Sequence, residues 1–546
     1  CTVCGKAFAY SQRELDLFEK WEFEPVDECF LCNQKHKLYF RNARNLYKRK
    51  CDSTGQDIVS IYKPDSPYKI YRADEWYSDK WDPLEYGRDF DFSRPFFEQF
   101  QELRLSVPRQ ALNNVKAENS EFCNMTVGNK NCYLVFGGDF NEDTMYGTLC
   151  MHNKQLFDGD YTNDSELCYM MSDSVGCYEC RYVFDSKNCT NCAYVSDCTA
   201  CNNCILCTNL SQKSYCIRNQ QLSKEEYEEQ AKELLIGSAE TQKKCVEEFM
   251  QMRENRIVKN AHTIGCERCT GDYLQHSKNC INCYDFSESE DCTNLIFATK
   301  TKDCFQCNLV GDGTEVLYET ISSIAGKQSK FCSFIIDSIH IDYSEFTLSS
   351  QNCFGCNGMR HKKFCIFNKQ YSQDEYESLR SRIIEHMKKT GEWGKFFPKE
   401  MSCFTYPETT ANEYFPASRT QAESEGYKWV DLEDEKPDVE RMIPADKLPD
   451  SIDDIPDDIL NWGIECEVSG RPFKIVKQEL VFYRQMNLPI PRQHPDERFK
   501  WRTAIRNPRK LWSRTCSKCN KAIQTTYSKE RPERVFCEEC YLAEVY

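Results

Sequence analysis

Through the middle of the chain, small apolar residues return at a fixed interval among polar ones. Cys168, Cys180, Cys192, Cys204 and Cys216 are twelve residues apart, and Cys132 lies three further periods upstream. Cys177, Cys189 and Cys201 form a second series at the same period, nine residues out of phase. Such periodicity marks a stacked repeat. Twelve residues is too short for a helical hairpin repeat and suits a coil of a parallel β-solenoid, or half of a longer one. Asn, Ser, Asp and Lys between the cysteines supply turns, while Tyr182-Val183 and Tyr194-Val195 supply strand character. Stacked strands about 4.8 Å apart would set same-phase cysteines in columns. Three readings fit the columns: thiols packed as small hydrophobes, disulfides between the two phases, or metal. The metal reading rests on Cys198, Cys201, Cys204 and Cys207, whose spacing approaches an iron–sulfur signature but differs in the last interval and lacks the following proline. Residues 331 to 350 replace the cysteine pattern by Ile, Phe and Leu. That substitution favours packing, since apolar residues replace cysteine in a core but not at a metal.

The end of this region recurs. Asn203-Cys204-x-x-Cys207 to Tyr215-Cys216-Ile217-x-Asn219 matches Asn352-Cys353-x-x-Cys356 to Phe364-Cys365-Ile366-x-Asn368 at an offset of 149. Both copies then carry a capping box, Ser223-x-x-Glu226 and Ser372-x-x-Glu375, that predicts a helix start. Residues 77 to 122 are rich in aromatic residues and broken by proline, which predicts a hydrophobic brace around Trp81, Tyr86, Phe96, Phe97 and Phe100. Residues 423 to 458 hold 14 Asp/Glu against 4 Lys/Arg, with four spaced prolines, and read as an extended acidic linker.

The two ends are copies of each other. At an offset of 465, with no gap, Cys1, Gly5, Phe8, Glu14 and Leu15 fall on Cys466, Gly470, Phe473, Glu479 and Leu480, and Arg41-Asn42-x-Arg44-x-Leu46 falls on Arg506-Asn507-x-Arg509-x-Leu511. Each copy has two places for a metal and keeps a different one. The first place is Cys1, Cys4, Cys29 and Cys32 near the start, against Cys466, Ser469, His494 and Glu497 in the second copy. The second place is Cys516, Cys519, Cys537 and Cys540, against Cys51, Thr54, Arg72 and Glu75. Paired Cys-x-x-Cys knuckles present four thiolates to a tetrahedral ion, the closed arrangement of structural zinc, so about two zinc ions per chain are expected. Modules of this size bury little core, and the metal would supply folding energy rather than chemistry.

Composition and charge narrow the function. Among 546 residues there are 36 Cys and a formal charge of −16, and no apolar run reaches the length of a membrane span. The eight His are dispersed, Gly311-x-Gly313 is too short for a nucleotide loop, and the complete metal places leave no open position, so nothing points to catalysis. Charge is uneven: residues 481 to 521 carry 11 Lys/Arg against Asp496 and Glu497. Arg498, Arg502, Arg506 and Arg509 fall at helical spacing, and with Trp501, Lys510 and Arg514 they form a candidate nucleic-acid-binding face. The competing expectation is that this face docks acidic residues of the same chain.

Arg-Asn-x-x-x-Leu-Tyr-x-Arg-Lys-Cys-Asp at 41 to 52, the run from Ser78 to Phe97, and Tyr-Cys-Ile-x-Asn before Ser-Lys-Glu-Glu-Tyr resemble zinc-ribbon, cysteine-repeat proteins predicted from uncultured bacterial genomes, a family without an established activity. Some such chains have carried a CoA-transferase label. That α/β class requires alternating strands and helices, which this pattern lacks. The expected fold is mainly β with helical insertions and multidomain: zinc-ribbon or treble-clef-like modules at both ends flanking a Cys-rich parallel β-solenoid. Its segments are 1–76 (module), 77–122 (connector), 123–221 (solenoid), 222–261 (helical), 262–370 (solenoid), 371–422 (helix and extended), 423–465 (linker) and 466–546 (basic module). The expected function is a non-enzymatic, zinc-binding, cytoplasmic scaffold that holds a macromolecular partner. The alternatives are an RNA- or DNA-binding protein, and a metal-storage or iron–sulfur electron-transfer protein.

Overall fold

The computed structural model describes residues 1–432 and 437–545; residues 433–436 of the expected acidic linker lie outside the described residues. The chain divides into two compact units, each assembled from segments distant in sequence. The first comprises Cys1–Leu112, Ala261–Asp431 and Arg509–Leu511, the second Asn113–Asn260, Leu432–Pro508 and Trp512–Tyr546. Both are mainly β with helices attached.

In the second unit every third residue from Gln155 to Tyr215 has a positive φ, between 50° and 66°, with Gly176 in the same series. For a residue with a Cβ this left-handed backbone costs roughly 1–2 kcal/mol, least for Asn and Asp, whose short side chains bond locally. Asp158, Asp164, Asp173, Asp185, Asn188, Asn191, Asp197, Asn203 and Asn209 stand at such corners. The residue after each corner is turned inward: from Cys168 to Cys207 none of these exceeds 2 % exposure. Four triplets make twelve residues, and strand partners are accordingly twelve apart, as in Cys168 with Cys180, Val183 with Val195 and Cys204 with Cys216. Parallel pairing in this register joins six strands, from Lys154–Asp160 to Ser214–Ile217, and an antiparallel hairpin adds Gln220–Gln221 as the seventh strand of the sheet.

The first unit repeats the plan in a 13-stranded sheet from Thr263–Ile264 to Lys369–Gln370. Positive-φ corners recur every third residue from Tyr273 to Asp312 and resume at Val316, one residue late. The register changes there from Thr299 opposite Gly311 to Thr301 opposite Thr314. Gly313, at φ +85°, absorbs the extra residue. This is the place of the Gly311-x-Gly313 pair.

The inward cysteines act as small donors. The Cys168 thiol lies 3.3 Å from the carbonyl of Glu166 and 3.6 Å from that of Cys177, and Cys192 makes the same contacts to Thr190 and Cys201 at 3.3 and 3.5 Å. Ser174 does this with an hydroxyl, to Ser172 and Val183 at 2.9 and 3.2 Å. Carbonyls that face the interior thus favour a small side chain with one donor, which cysteine and serine share. All 36 cysteines are free thiols.

The end modules have matching elements at the offset of 465. Helices Gln12–Trp21 and Phe30–Leu38, the hairpin Tyr47–Lys50 with Asp57–Ser60, and helix Ala73–Tyr77 correspond to Lys477–Gln485, Pro495–Ile505, Trp512–Thr515 with Ala522–Thr525, and Glu538–Val545. The capping boxes at Ser223 and Ser372 form as expected and open helices Lys224–Leu234 and Gln373–Thr390. The aromatic connector packs Trp81, Phe96, Phe97 and Phe100 into the core of the first unit, and its Arg104 and Arg109 meet the buried carboxylate of Glu345 at 2.8 and 2.7 Å. One expectation changes. The acidic stretch does not run extended throughout, because Leu448, Ile452, Ile455 and Ile459 alternate with its acids and are buried in the core of the second unit. The sign of the charge hid an amphipathic pattern of single turns.

Candidate metal centres

Two groups of four thiols come together: Cys1, Cys4, Cys29 and Cys32 in the first unit, and Cys516, Cys519, Cys537 and Cys540 in the second, each with its sulfurs within 4.8 Å of one another. Cys4 and Cys29 stand 3.7 Å apart at sulfur, as do Cys519 and Cys537. A disulfide needs about 2.05 Å. Thiolates about 2.3 Å from a tetrahedral ion are about 3.8 Å from each other, so this spacing fits four ligands around one zinc.

The local backbone explains the grouping. In the intact knuckles the amide of Gly5 donates to Cys1 O at 3.0 Å and that of Asn520 to Cys516 O at 3.0 Å, with positive φ at Gly5 and Asn520. The residue after the first cysteine then ties the two knuckles together, through Thr2 N to Asp27 O and Ser517 N to Val535 O, both 2.9 Å. Amides also point at sulfur, and the Cys537 amide donates to Cys516 Sγ at 3.2 Å. Burial raises the Cys516 thiol, but the amides of Cys519, Cys537 and Lys518 outweigh it and bring it down to about 6. Amides aimed at sulfur favour the thiolate, which is the form that binds metal.

The two degenerate places keep this scaffold with one thiol each, Cys51 and Cys466. Gly55 and Gly470 donate to Cys51 O and Cys466 O at 2.8 and 2.9 Å, and Asp52 N and Glu467 N make the tying bonds to Ile70 O and Arg492 O. The amide-to-sulfur bond is kept too, from Arg72 to Cys51 Sγ at 3.4 Å and from His494 to Cys466 Sγ at 3.2 Å. The side chains at the lost ligand positions have other partners, and Glu75 pairs with Lys80. His494 accepts the Asp496 amide at 3.1 Å and caps its helix, while Glu497 pairs with Lys500 at 2.8 Å.

The candidate nucleic-acid face is placed otherwise than the charge pattern suggests. Arg498 and Arg502 are buried, with Arg498 Nε 3.0 Å from Asp158 and Arg502 2.7 Å from Asp158 and 2.6 Å from Asp160. Arg506 makes a bidentate pair with Asp173 at 2.7 and 2.8 Å. Arg509, which belongs to the first unit, meets Asp285 there at 2.8 Å. Trp501 packs edge-on to Phe184, Arg514 donates to Ser528 O, and Lys510 is exposed. Arg498 and Arg502 lie on the helix Pro495–Ile505, whereas Arg506 follows its end with extended backbone and Arg509 lies beyond, and the face is turned onto carboxylates of the protein itself. The signal available in the sequence was the set of Asp residues at triplet corners, which only the three-residue period makes visible.

No protein-family model matches this chain, and a search of curated proteins finds no relative.

The four-cysteine run is also corrected. Among the described residues, Cys198, Cys201, Cys204 and Cys207 do not form a group of ligand atoms like the two quartets. They are four successive inward positions of the triplet, and their thiols donate to the carbonyls of Ser196, Thr199, Asn202 and Ile205. The spacing of three comes from the backbone corners.

Proposed function

We propose that the protein is a non-enzymatic scaffold in which two zinc ions lock end modules onto a pair of cysteine-lined β-solenoids. The observation that carries this reading is the pair of thiol quartets at tetrahedral spacing, held by knuckles whose amides face sulfur. A closed four-thiolate site leaves no position for substrate and works by folding energy. The triplet corners and twelve-residue register support stacked coils as the rigid part, which offers a regular surface to a macromolecular partner. The reading agrees with the resemblance to zinc-ribbon, cysteine-repeat proteins and with a reducing, cytoplasmic setting for free thiols. Nucleic-acid binding through the arginine face is disfavoured, because its central members are engaged with buried aspartates. Metal quantification on anaerobically purified protein is the test. Two zinc ions per chain and a colourless solution are expected; visible absorption with bound iron, or protein that stays folded and free of metal, overturns the proposal.

A further inference from the structure

The duplicated modules differ at a place where their sequences agree. Phe473 and Leu480 are 6 % and 3 % exposed, while their counterparts at the offset of 465, Phe8 and Leu15, are 37 % and 40 % exposed. An apolar pair that is covered in one copy is open in the other.

The second unit shows what covers the pair. Its strand Pro472–Phe473 is paired antiparallel with Trp462–Glu465, Ile464 standing opposite Phe473, and Leu448, Ile452, Ile455 and Ile459 of the same acidic stretch share a core with Leu480. Two cations of the module fasten this cover. Arg484 pairs with Asp457 at 2.6 Å and donates to Ile455 O at 2.8 Å, and Arg492 donates to Leu448 O at 3.4 Å. An extended segment thus completes the module by backbone pairing, apolar packing and charge.

Each of these means is present and unused in the first unit. Ala7 and Phe8 belong to no strand, and Phe8 forms no backbone hydrogen bond among the described residues. An edge-on contact with Tyr10 at 5.3 Å holds the Phe8 ring in place. Leu15 stands one helical turn from Glu19 on the helix Gln12–Trp21, as Leu480 does from Arg484 on Lys477–Gln485. The charges are reversed, because Glu19 and Asp27, both exposed, stand where the other copy has Arg484 and Arg492. The acidic cover of the second unit would meet like charge there, and a complementary segment carries Lys or Arg instead.

We propose that the edge at Ala7 and Phe8, with Leu15, Glu19 and Asp27, docks an extended segment of a partner protein in which apolar residues alternate with Lys or Arg. Strand addition of this kind takes its affinity from main-chain hydrogen bonds and its specificity from alternate side chains. The inference adds a partner to the scaffold reading and rests on that reading for a folded, zinc-loaded first module.

The test is fluorescence anisotropy of the whole zinc-loaded chain with two labelled peptides. One is the chain's own cover, residues 456–465, and the other is the same peptide carrying Asp457→Lys, Asp458→Lys and Glu465→Lys. The lysine peptide is expected to bind with a Kd below about 100 µM and about tenfold tighter than the acidic one. Phe8→Ser with Leu15→Ser keeps every charge and should weaken that binding by about tenfold. Glu19→Lys with Asp27→Lys should reverse the preference between the peptides. Absence of binding by the lysine peptide, equal binding of the two, or binding undiminished in the serine variant overturns the proposal. A dimer of this chain in sedimentation that the serine variant dissolves also overturns it, since a second copy is then the occupant. Zinc counted on the same samples separates the failures: absent metal overturns the scaffold reading whatever the peptides do, and absent binding overturns this one whatever the metal count.

Discussion

Phe18 lies edge-on to Tyr318, with ring centroids 5.9 Å apart and planes at 81°. Shifted by 465 and by 149 residues these positions become Tyr483 and Tyr169, which lie edge-on at 5.9 Å and 80°. The same holds further along: Tyr215 on Tyr227 at 5.6 Å is repeated by Phe364 on Tyr376 at 5.8 Å. Each unit is therefore one design, a module docked on a triplet-cornered sheet that ends in a capped helix. The docking uses the module's second helix in both, through Lys37 to Glu319 in one and Arg502 to Asp158 in the other.

That docking predicts the effect of removing a cation. Arg502→Ala leaves Asp158 and Asp160 buried with half their compensation, and should destabilise the second unit by about 3–5 kcal/mol. Urea unfolding followed by tryptophan fluorescence measures it. A loss of nucleic-acid retention without a loss of stability is the opposite outcome and would restore the surface reading.

Acid should act through Glu345. Burial raises its carboxyl, but Arg104 and Arg109 outweigh burial and hold it at about 2, against an ordinary 4.5. A depressed carboxyl stabilises fully above about pH 4.5, and the contribution, about 3 kcal/mol, is lost as pH falls towards 2. The urea midpoint of the first unit should drop across that window. Glu345→Gln should lower the midpoint at neutral pH and flatten the dependence.

How much of this was legible beforehand differs by feature. Cys1, Cys4, Cys29, Cys32 and their counterparts declare themselves because metal spacing is local, and the capping boxes at Ser223 and Ser372 are local too. The twelve-residue interval was visible because cysteine is rare. The three-residue interval beneath it was not, since corners accept Asp, Tyr, Leu and Gln alike and only the run Cys198 to Cys207 exposes it. Whether Arg498 and Arg502 meet water or acidic residues of the same chain was not legible, because a charge pattern along a helix is the same whether water or a buried aspartate faces it. Leu448 and Ile452 were hidden for the same reason within an acidic stretch.

The proposal of one zinc at each of two separate thiol quartets predicts separable losses. Cys29→Ser should remove one zinc equivalent and expose residues 1–76 to proteolysis, while Cys537→Ser should remove the other and expose the C-terminal module. Mass spectrometry under native conditions counts the ions. Loss of both from either substitution would contradict independent sites.

Cys123 and Cys132 should be inert. Burial pushes Cys123 up to about 12 and Cys132 up to about 11, so neither supplies thiolate near neutrality. Iodoacetamide at pH 8 should leave both unmodified in native protein and alkylate both in urea, as read by peptide mapping. Cys192→Ser, which imitates Ser174 and Ser186 at equivalent inward positions, should cost less than Cys192→Met, whose extra volume is expected to destabilise by about 1–3 kcal/mol.

The docking pairs also set the order of events on the ribosome. Asn33 must wait for Glu319, 286 residues later, and Asp158 must wait for Arg498, 340 residues later. At about 5–20 residues per second the first module spends roughly 15–60 s in the nascent chain without its sheet. Throughout that interval Phe18 has Tyr10 but not Tyr318, and Lys37 lacks Glu319, so an ion held by Cys1, Cys4, Cys29 and Cys32 would tie this module together before its docking surface is translated.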